Sequence, residues 1–239
     1  MPFKDRNILI IGGTSGIGLQ TARLLQEKGA NVLIASRQQS EEAEALNLEH
    51  LPLDVLQFDN TFVDALPEVL HGLVYCPGSI NLRPFDRIKP EIFRNEFELN
   101  VMGAVQVLQC VMPRLKKADS ASVVLFSTVA ARVGMPYHTL IATAKGAVQG
   151  LTVALAAEYA SAQIRVNAIA PSLTDTPLAK PLLSTPEKNE AAGKRHPLGR
   201  VGTTHEVASA ALYLLGDEAS WMTGQVLHLD GGLSSVKLS

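Results

Sequence analysis

The stretch Asn7-Ile8-Leu9-Ile10-Ile11-Gly12-Gly13-Thr14-Ser15-Gly16-Ile17-Gly18 decides the fold of this chain. An apolar run with the length of a β-strand enters a glycine-rich turn, and an amphipathic helical pattern begins at Gly16. Glycines at such a turn let the backbone approach the pyrophosphate of a dinucleotide, whose charge then lies on free amides of the helix N-terminus. The pattern therefore predicts a dinucleotide site formed by Gly12, Thr14, Ser15, Gly16, Ile17 and Gly18.

Short apolar runs alternate with helical segments along the rest of the chain, which is typical of a parallel sheet covered on both faces. We expect an α/β fold, a Rossmann-type doubly wound parallel sheet of about seven strands, in a single domain over residues 1–239. The predicted strands are Asn7–Ile11, Asn31–Ala35, His50–Leu53, Gly72–Cys76, Ser122–Ser127, Arg165–Ala170 and Val226–Asp230. The predicted helices are Gly16–Lys28, Glu41–Leu46, Asn60–Val69, Glu91–Lys117, Thr139–Tyr159 and Thr204–Leu215.

Residues 171–202 are the least periodic part of the chain and contain five prolines, at 171, 177, 181, 186 and 197. A long irregular segment inside a compact domain is usually functional. We therefore expect this segment to form a lid over a substrate. Its leucines, at 173, 178, 182 and 183, favour an apolar small-molecule substrate, although they are also compatible with packing of the lid itself.

Composition and charge exclude several classes of protein. Apolar residues make up 46% of the chain and charged residues 18%, which is typical of a globular protein. The net charge is −2 and no run of Lys and Arg exceeds a doublet, so we expect no nucleic-acid or membrane partner. Cys76 and Cys110 lack metal-ligand spacing, and we expect no metal site. The apolar run after Arg6 is too short for a signal peptide, which predicts a cytoplasmic protein.

The second predicted strand ends in Ile34-Ala35-Ser36-Arg37, and this ending distinguishes between two nicotinamide cofactors. An NAD site would have an acidic residue here to bind the 2′-hydroxyl of the ribose. Ser36 and Arg37 instead offer a small hydroxyl and a guanidinium, which suit a 2′-phosphate. We therefore predict NADP(H) as the cofactor; the alternative is that Arg37 is a solvated surface residue.

Five separated motifs, in the same order, make the chain resemble the short-chain dehydrogenase/reductase family, and particularly its 3-oxoacyl-carrier-protein reductase branch. They are Ile11–Gly18, Leu53-Asp54-Val55, Asn100-Val101-Met102-Gly103, Ile164–Pro171 and Thr223–Gly232. The resemblance implies that Asp54 and Val55 contact the adenine and that Pro77 and Gly78 lie beside the cofactor. It also implies that Pro171 contacts the cofactor and that Thr176, five residues further on, binds the nicotinamide amide. It also implies a homotetramer or homodimer in which the C-terminal strand contributes to a subunit interface.

The resemblance fails at the residue that carries the family's acid–base chemistry. Members carry Tyr-x-x-x-Lys on the long central helix, where lysine binds the ribose and lowers the pKa of the phenol. The i and i+4 positions share one helix face, so the ammonium favours the phenolate. Lys145 is present and is followed by Gly146-Ala147-Val148, but Ile141 stands at the tyrosine position. Thr128 stands where a serine normally orients the substrate carbonyl, and Asn100 matches the family asparagine.

Isoleucine cannot donate a proton, and loss of a general acid typically costs roughly 10²–10⁴-fold in rate. Two neighbouring side chains are alternative donors. Tyr137 lies four residues before Ile141, and His138 lies seven residues before Lys145, which is the Tyr-to-Lys separation of the family's enoyl-reductase branch. The competing interpretation is that both residues belong to a loop before the helix. Two functions therefore stay open: an NADP(H)-dependent oxidoreductase acting on a carbonyl or hydroxyl, and a catalytically impaired dinucleotide-binding protein that acts as a sensor or partner subunit.

Overall fold

A computed structural model describes residues 2–237, and these residues form a Rossmann-type sheet with helices on both sides. The seven strands of the main sheet are parallel and lie in the order β3-β2-β1-β4-β5-β6-β9. This arrangement confirms the predicted fold class. The strands are β1 (Asn7–Ile11), β2 (Asn31–Ser36), β3 (Glu49–Pro52), β4 (Gly72–Tyr75), β5 (Ala121–Phe126), β6 (Ile164–Pro171) and β9 (Val226–Leu229).

Alternate residues of the inner strands enter two separate hydrophobic cores, one on each face of the sheet. In β1, Leu9 and Ile11 point to one core, while Ile8 and Ile10 point to the other. Because successive side chains of a strand point to opposite faces, a strand that is covered twice must be apolar throughout. The helices that surround the sheet are α1 (Gly16–Glu27), α2 (Glu41–Ala45), α3 (Pro90–Phe97), α4 (Gly103–Leu115), α5 (Thr139–Tyr159) and α7 (Thr204–Leu215).

Two predicted helices differ from the observed ones. The prediction Asn60–Val69 is wrong beyond Ala65, because a 3₁₀-helix covers Asn60–Ala65 and Leu66 is extended. Leu66 precedes Pro67, whose ring disfavours the α conformation of the residue before it. The prediction Glu91–Lys117 describes α3 and α4, which are joined by a π-helical turn over Glu98–Met102. This turn buries Asn100 completely, and π-helical turns are frequent at functional sites.

Residues 171–202 contain more regular structure than their sequence predicts. The short strands β7 (Thr174–Asp175) and β8 (Gly202–Thr203) pair with each other, a 3₁₀-helix covers Pro177–Leu182, and α6 covers Pro186–Gly193. Pro177 and Pro186 start these helices rather than interrupt them, because proline at the first helical position loses no hydrogen bond. The side chains of Thr176 and Thr185 cap the two helices.

The close packing of α1 onto β1 depends on Gly18. A Cβ atom at this position would overlap the carbonyl oxygen of Gly12. No side chain can therefore be added at Gly18 unless the helix moves away from the strand. Gly150 in α5 provides a contrast, because a Cβ atom there would meet nothing within 4 Å.

We predict that Gly18→Ala lowers the free energy of unfolding by about 1–3 kcal/mol, the usual cost of overpacking a core. The matched control Gly150→Ala should stabilise the protein by about 0.5–1 kcal/mol, because alanine loses less conformational entropy in a helix. Urea denaturation of the two variants measures both effects. Equal stability of the two variants would contradict the packing of α1 described here.

Candidate cofactor and active site

Two adjoining cavities open where the carboxyl ends of the parallel strands meet, and both are lined by Gly78. The outer cavity has a volume of about 650 Å³, and the inner cavity has a volume of about 280 Å³. Ligands of open α/β sheets bind where the strand order reverses, which in this chain is between β1 and β4. The outer cavity is lined by most of the residues predicted to hold the cofactor: Gly12, Thr14, Ser15, Ser36, Arg37, Asp54, Val55, Pro77 and Gly78.

The glycine turn has backbone geometry that other residues rarely adopt. Gly12 and Gly16 have φ angles of 77° and 53°, in the left-handed region that favours glycine. Ser15 is the N-cap of α1, but its side chain makes no capping hydrogen bond, so the hydroxyl and the first amides of the helix can face a ligand. Thr176 lies on the other side of the turn, since a Cβ atom at Gly16 would be 3.6 Å from its side chain.

At the end of β2, Ser36 and Arg37 line the outer cavity as the sequence predicts. The Ser36 hydroxyl donates a hydrogen bond of 2.7 Å to the carbonyl oxygen of Gln38 and lies 2.9 Å from Nε2 of His50. Arg37 is exposed and forms no ion pair among the described residues. Its guanidinium is therefore free to bind an anionic group.

The motif Asn100–Gly103 has a structural explanation that sequence reasoning missed. The hydroxyl of the buried Tyr75 donates a hydrogen bond of 2.7 Å to the carbonyl oxygen of Leu99, at the π-helical turn. A Cβ atom at Gly103 would overlap this hydroxyl. Burial also raises the pKa of Tyr75 well above its ordinary value, so the phenol stays neutral. Tyr75 is therefore a structural residue that fixes the turn holding Asn100.

Lys145 and Ile141 lie one turn apart on α5, and both line the inner cavity. They are 6% and 8% exposed, respectively. Thr128 and its neighbour Ser127 both line this cavity. The Thr128 hydroxyl accepts a hydrogen bond of 3.3 Å from the amide of Ala130, which leaves its own proton free to donate, whereas the Ser127 hydroxyl both donates and accepts within the fold. Ser127 donates to the carbonyl oxygen of Lys145 at 3.1 Å and accepts from the side chain of Gln149 at 2.8 Å. Thr128 is therefore better placed than Ser127 to bind a substrate.

The ammonium group of Lys145 is buried near one carboxylate. Burial lowers the pKa of Lys145 to about 8, while the negative charge of Glu96 acts in the opposite direction. Burial raises the pKa of the Cys76 thiol to about 12, so this thiol stays protonated at neutral pH. Lys145 therefore remains mostly cationic at neutral pH and loses its charge in moderately alkaline solution.

Glu96 belongs to a buried polar cluster that sequence reasoning did not identify. Its carboxylate accepts hydrogen bonds from Ser79 Oγ at 2.6 and 2.7 Å and from Asn100 Nδ2 at 2.8 Å. Glu96 is 6% exposed, and Ser79 lines the inner cavity. The spacing offered a signal, because an acid four residues before Asn100 shares its helix face.

Tyr137 and His138, the two alternative proton donors, are placed differently. Tyr137 precedes α5 with a φ angle of 67°, is 59% exposed and does not line the inner cavity. Tyr137 therefore lies in the loop before the helix, as the competing interpretation predicts, because α5 begins at Thr139. His138 does line the inner cavity, and its Nδ1 lies 2.7 Å from the carbonyl oxygen of Pro136. That contact occupies only Nδ1, so Nε2 is available to contact a ligand in the cavity.

Residues of the segment 171–202 close one side of the inner cavity. Pro171 and Thr176, both predicted to contact the cofactor, lie in its wall, and Ile17 faces them from α1. Among the described residues no carboxylate lines the cavity, and its apolar lining includes Ile80, Leu82, Met135, Leu173, Leu178 and Leu182. Within residues 2–237, no three side chains of His, Cys, Asp and Glu are grouped as metal ligands would be.

The family model described as Enoyl-(Acyl carrier protein) reductase matches residues 12–234. The chain belongs to the short-chain dehydrogenase/reductase family. It is 36% identical to a 3-oxoacyl-[acyl-carrier-protein] reductase from Thermotoga maritima, with 98% of this chain and 99% of that protein covered. It is 30% identical to an L-xylulose reductase from Bos taurus, with 96% and 97% covered. These relatives identify the protein as an oxidoreductase by family.

Solved structures of the family share the fold along almost the whole chain. A short-chain type dehydrogenase/reductase from Mycobacterium ulcerans has a TM-score of 0.91 at 32% identity, covering 98% of this chain and 91% of that one. The structure named ElxO with NADP bound has a TM-score of 0.87 at 28% identity, covering 97% and 100%. Thr139–Ala162 is apolar and long enough to cross a membrane by composition. In this fold it contains the core helix α5, which buries Lys145 and packs against β6.

Proposed function

We propose that this short-chain dehydrogenase/reductase is an NADP(H)-dependent oxidoreductase that acts on a carbonyl or hydroxyl substrate. One observation carries the proposal: the outer and inner cavities meet at Gly78, with Arg37 at one end and Lys145 at the other. An extended dinucleotide would bridge the two, with its 2′-phosphate near Arg37 and its nicotinamide near Lys145. The NADP-bound structural relative is consistent with this arrangement.

The residues of the two cavities fit each part of such a cofactor. The free amides of α1 and the hydroxyls of Thr14 and Ser15 suit the pyrophosphate. Asp54 and Val55 are proposed to contact the adenine, and the nicotinamide half is assigned to Pro77, Gly78, Lys145, Pro171 and Thr176. Asn100 Oδ1 is buried and has no hydrogen-bond partner among the described residues. It points to this region, because a Cβ atom added to Gly78 would lie 3.5 Å from it. When bound, the cofactor supplies or accepts a hydride.

We predict that Arg37→Gln weakens the binding of NADPH at least about tenfold and leaves the binding of NADH unchanged. A charge-assisted hydrogen bond to the 2′-phosphate is worth about 1.5–3 kcal/mol, and NADH has no such group. Fluorescence titration of both cofactors measures the effect. Arg23→Gln, which removes an exposed charge from α1 outside both cavities, is the control. An unchanged preference in Arg37→Gln would refute the assignment of the 2′-phosphate.

In the proposed reduction, a hydride adds to the carbonyl carbon and a proton adds to the carbonyl oxygen, which gives an alcohol and the oxidised cofactor. Thr128 would donate a hydrogen bond to the oxygen, and the Lys145 ammonium would stabilise its developing negative charge. His138 would supply the proton from Nε2 in its imidazolium form, because Nδ1 keeps its own proton in the hydrogen bond to the carbonyl oxygen of Pro136. Tyr137 is less suited to this role, since it does not line the inner cavity.

We predict that His138→Gln lowers kcat for carbonyl reduction by roughly 10²-fold, the low end of the effect of removing a general acid. Tyr137→Phe should keep the wild-type rate, because its hydroxyl lies outside the cavity. Steady-state kcat of the two variants, measured at saturating NADPH and substrate, tests this assignment. A wild-type rate in His138→Gln would exclude the imidazole as the proton donor.

A second function, that of a non-catalytic dinucleotide-binding protein, is favoured by Ile141. Its apolar side chain lines the inner cavity where the family resemblance places a phenol. Such a protein would bind NADPH and serve as a sensor or partner subunit. Both functions require the cofactor, so binding alone does not distinguish them.

The test measures NADPH binding and NADPH oxidation against ketones, quinones and enoyl thioesters, for the wild type and for Ile141→Tyr. We expect the wild type to oxidise NADPH with at least one substrate and Ile141→Tyr to accelerate ketone reduction, because it restores a phenol next to Lys145. Tight binding without oxidation in the wild type, together with ketone reduction by the variant, would support the non-catalytic protein. Failure to bind NADPH would refute both functions.

We further propose an apolar small-molecule substrate, for which the lining of the inner cavity gives support, and a lid formed by residues 171–202. A homotetramer or homodimer is proposed from the family. Exposed apolar side chains are consistent with subunit contacts, including a fully exposed Trp221 beside the C-terminal strand and Val153 on α5. The composition supports a cytoplasmic location.

A further inference from the structure

Among the described residues, Glu96 is a buried acid whose carboxylate makes no ion pair within 4 Å. Burying an uncompensated carboxylate costs several kcal/mol, so its retention in the interior requires a physical reason. Hydrogen bonds from Ser79 and Asn100 satisfy part of its acceptor capacity. They do not compensate its negative charge.

The compensating charge nearby is the ammonium of Lys145. Lys145 Nζ and Asn100 Oδ1 both lie close to the point where a Cβ atom added to Gly78 would be. The distances to that point are 3.6 Å from Nζ and 3.5 Å from Oδ1. Asn100 Nδ2 donates to both the backbone oxygen and the carboxylate of Glu96 at 2.9 and 2.8 Å. Because these two bonds fix the amide plane, the opposite atom, Oδ1, must point away from Glu96 and toward Gly78 and Lys145.

We propose that Glu96 is a positioning residue that compensates the charge of the buried Lys145 ammonium and holds the Asn100 amide with its oxygen toward the cofactor site. The proposal rests on the proposed function, because it assigns Lys145 and Asn100 to binding of the nicotinamide half. Ile141 offers no phenolate to share the charge of the lysine. Glu96 contacts the same region from α3 through the Asn100 amide, which binds its carboxylate and directs Oδ1 toward Gly78.

The other titratable groups around Lys145 cannot provide this compensation. Cys76, after β4, keeps its proton because burial raises its pKa to about 12. His138, Arg195 and His196 line the same cavity, and none of them can carry a negative charge. Glu96 therefore acts as the negative group that keeps Lys145 protonated, and its removal should lower the pKa of Lys145 further below the ordinary value.

The experiment titrates the ¹³Cε resonance of Lys145 in ligand-free protein labelled at lysine, with the signal assigned by its loss in Lys145→Arg. The wild-type midpoint should lie near pH 8. Glu96→Gln should move it down by about one pH unit, because the amide keeps the shape of the acid and loses the charge. Glu98→Gln is the matched control, since Glu98 lies two residues further along the same helical stretch and is exposed. This control should leave the midpoint unchanged.

Circular dichroism establishes that each variant is folded. Glu96→Asp is a milder second variant, because it keeps the carboxylate on a side chain that is one methylene shorter. The midpoint of the Lys145 titration in this variant should lie between those of the wild type and Glu96→Gln. A wild-type midpoint in folded Glu96→Gln, or in Glu96→Asp if the glutamine variant does not fold, would overturn the proposal.

A second arm measures NADPH affinity at pH 8.5. Glu96→Gln should bind NADPH at least about threefold more weakly than Glu98→Gln, because a smaller fraction of Lys145 carries its charge at this pH. Equal affinities would overturn the role of Glu96 at the cofactor site. If the wild type binds no NADPH at any pH, the proposed function fails, whereas a shifted lysine midpoint would still establish the pairing of Glu96 with Lys145.

Discussion

The close approach of backbone to backbone at the glycine turn is the constraint on which the rest of this structure depends. Gly12 leaves β1 with a positive φ angle, and Gly18 allows α1 to cross directly over the carbonyl group of Gly12. A Cβ atom at Gly12 would lie 3.4 Å from Cys76 and Pro77, so the same turn also contacts the segment after β4. These two contacts bring the ends of β1 and β4 together and create the space shared by the outer and inner cavities.

The inner cavity combines an unusual set of side chains for chemistry in a buried site. A lysine is kept in the interior with an apolar Ile141 on the turn before it, and the buried Glu96 binds the Asn100 amide, whose oxygen faces Gly78. Each charged group would be costly to bury alone. Their joint retention in one small region is most simply explained by a need for positive charge at the inner end of the cleft.

The described structure also separates two side chains that are adjacent in the sequence. His138 faces the inner cavity, whereas Tyr137 points outward because its backbone has a positive φ angle. Neighbouring residues at the start of a helix can point in different directions, since the φ angle of a residue before the first helical turn sets the direction of its side chain. The spacing of residues along the helix gives no information about that angle.

The sequence by itself determined the strands of the main sheet, the order of the main helices, and the glycine turn and Ser36-Arg37 ending of β2 that line the outer cavity. These follow from local rules, because apolar runs, glycine turns and helix periodicity act over a few neighbouring residues. The tertiary structure alone decided that Glu96, Ser79 and Asn100 form one cluster in the region of Lys145 and that Tyr75 fixes the π-helical turn. Such contacts join residues that are distant along the chain, and their formation depends on how the helices pack over the sheet.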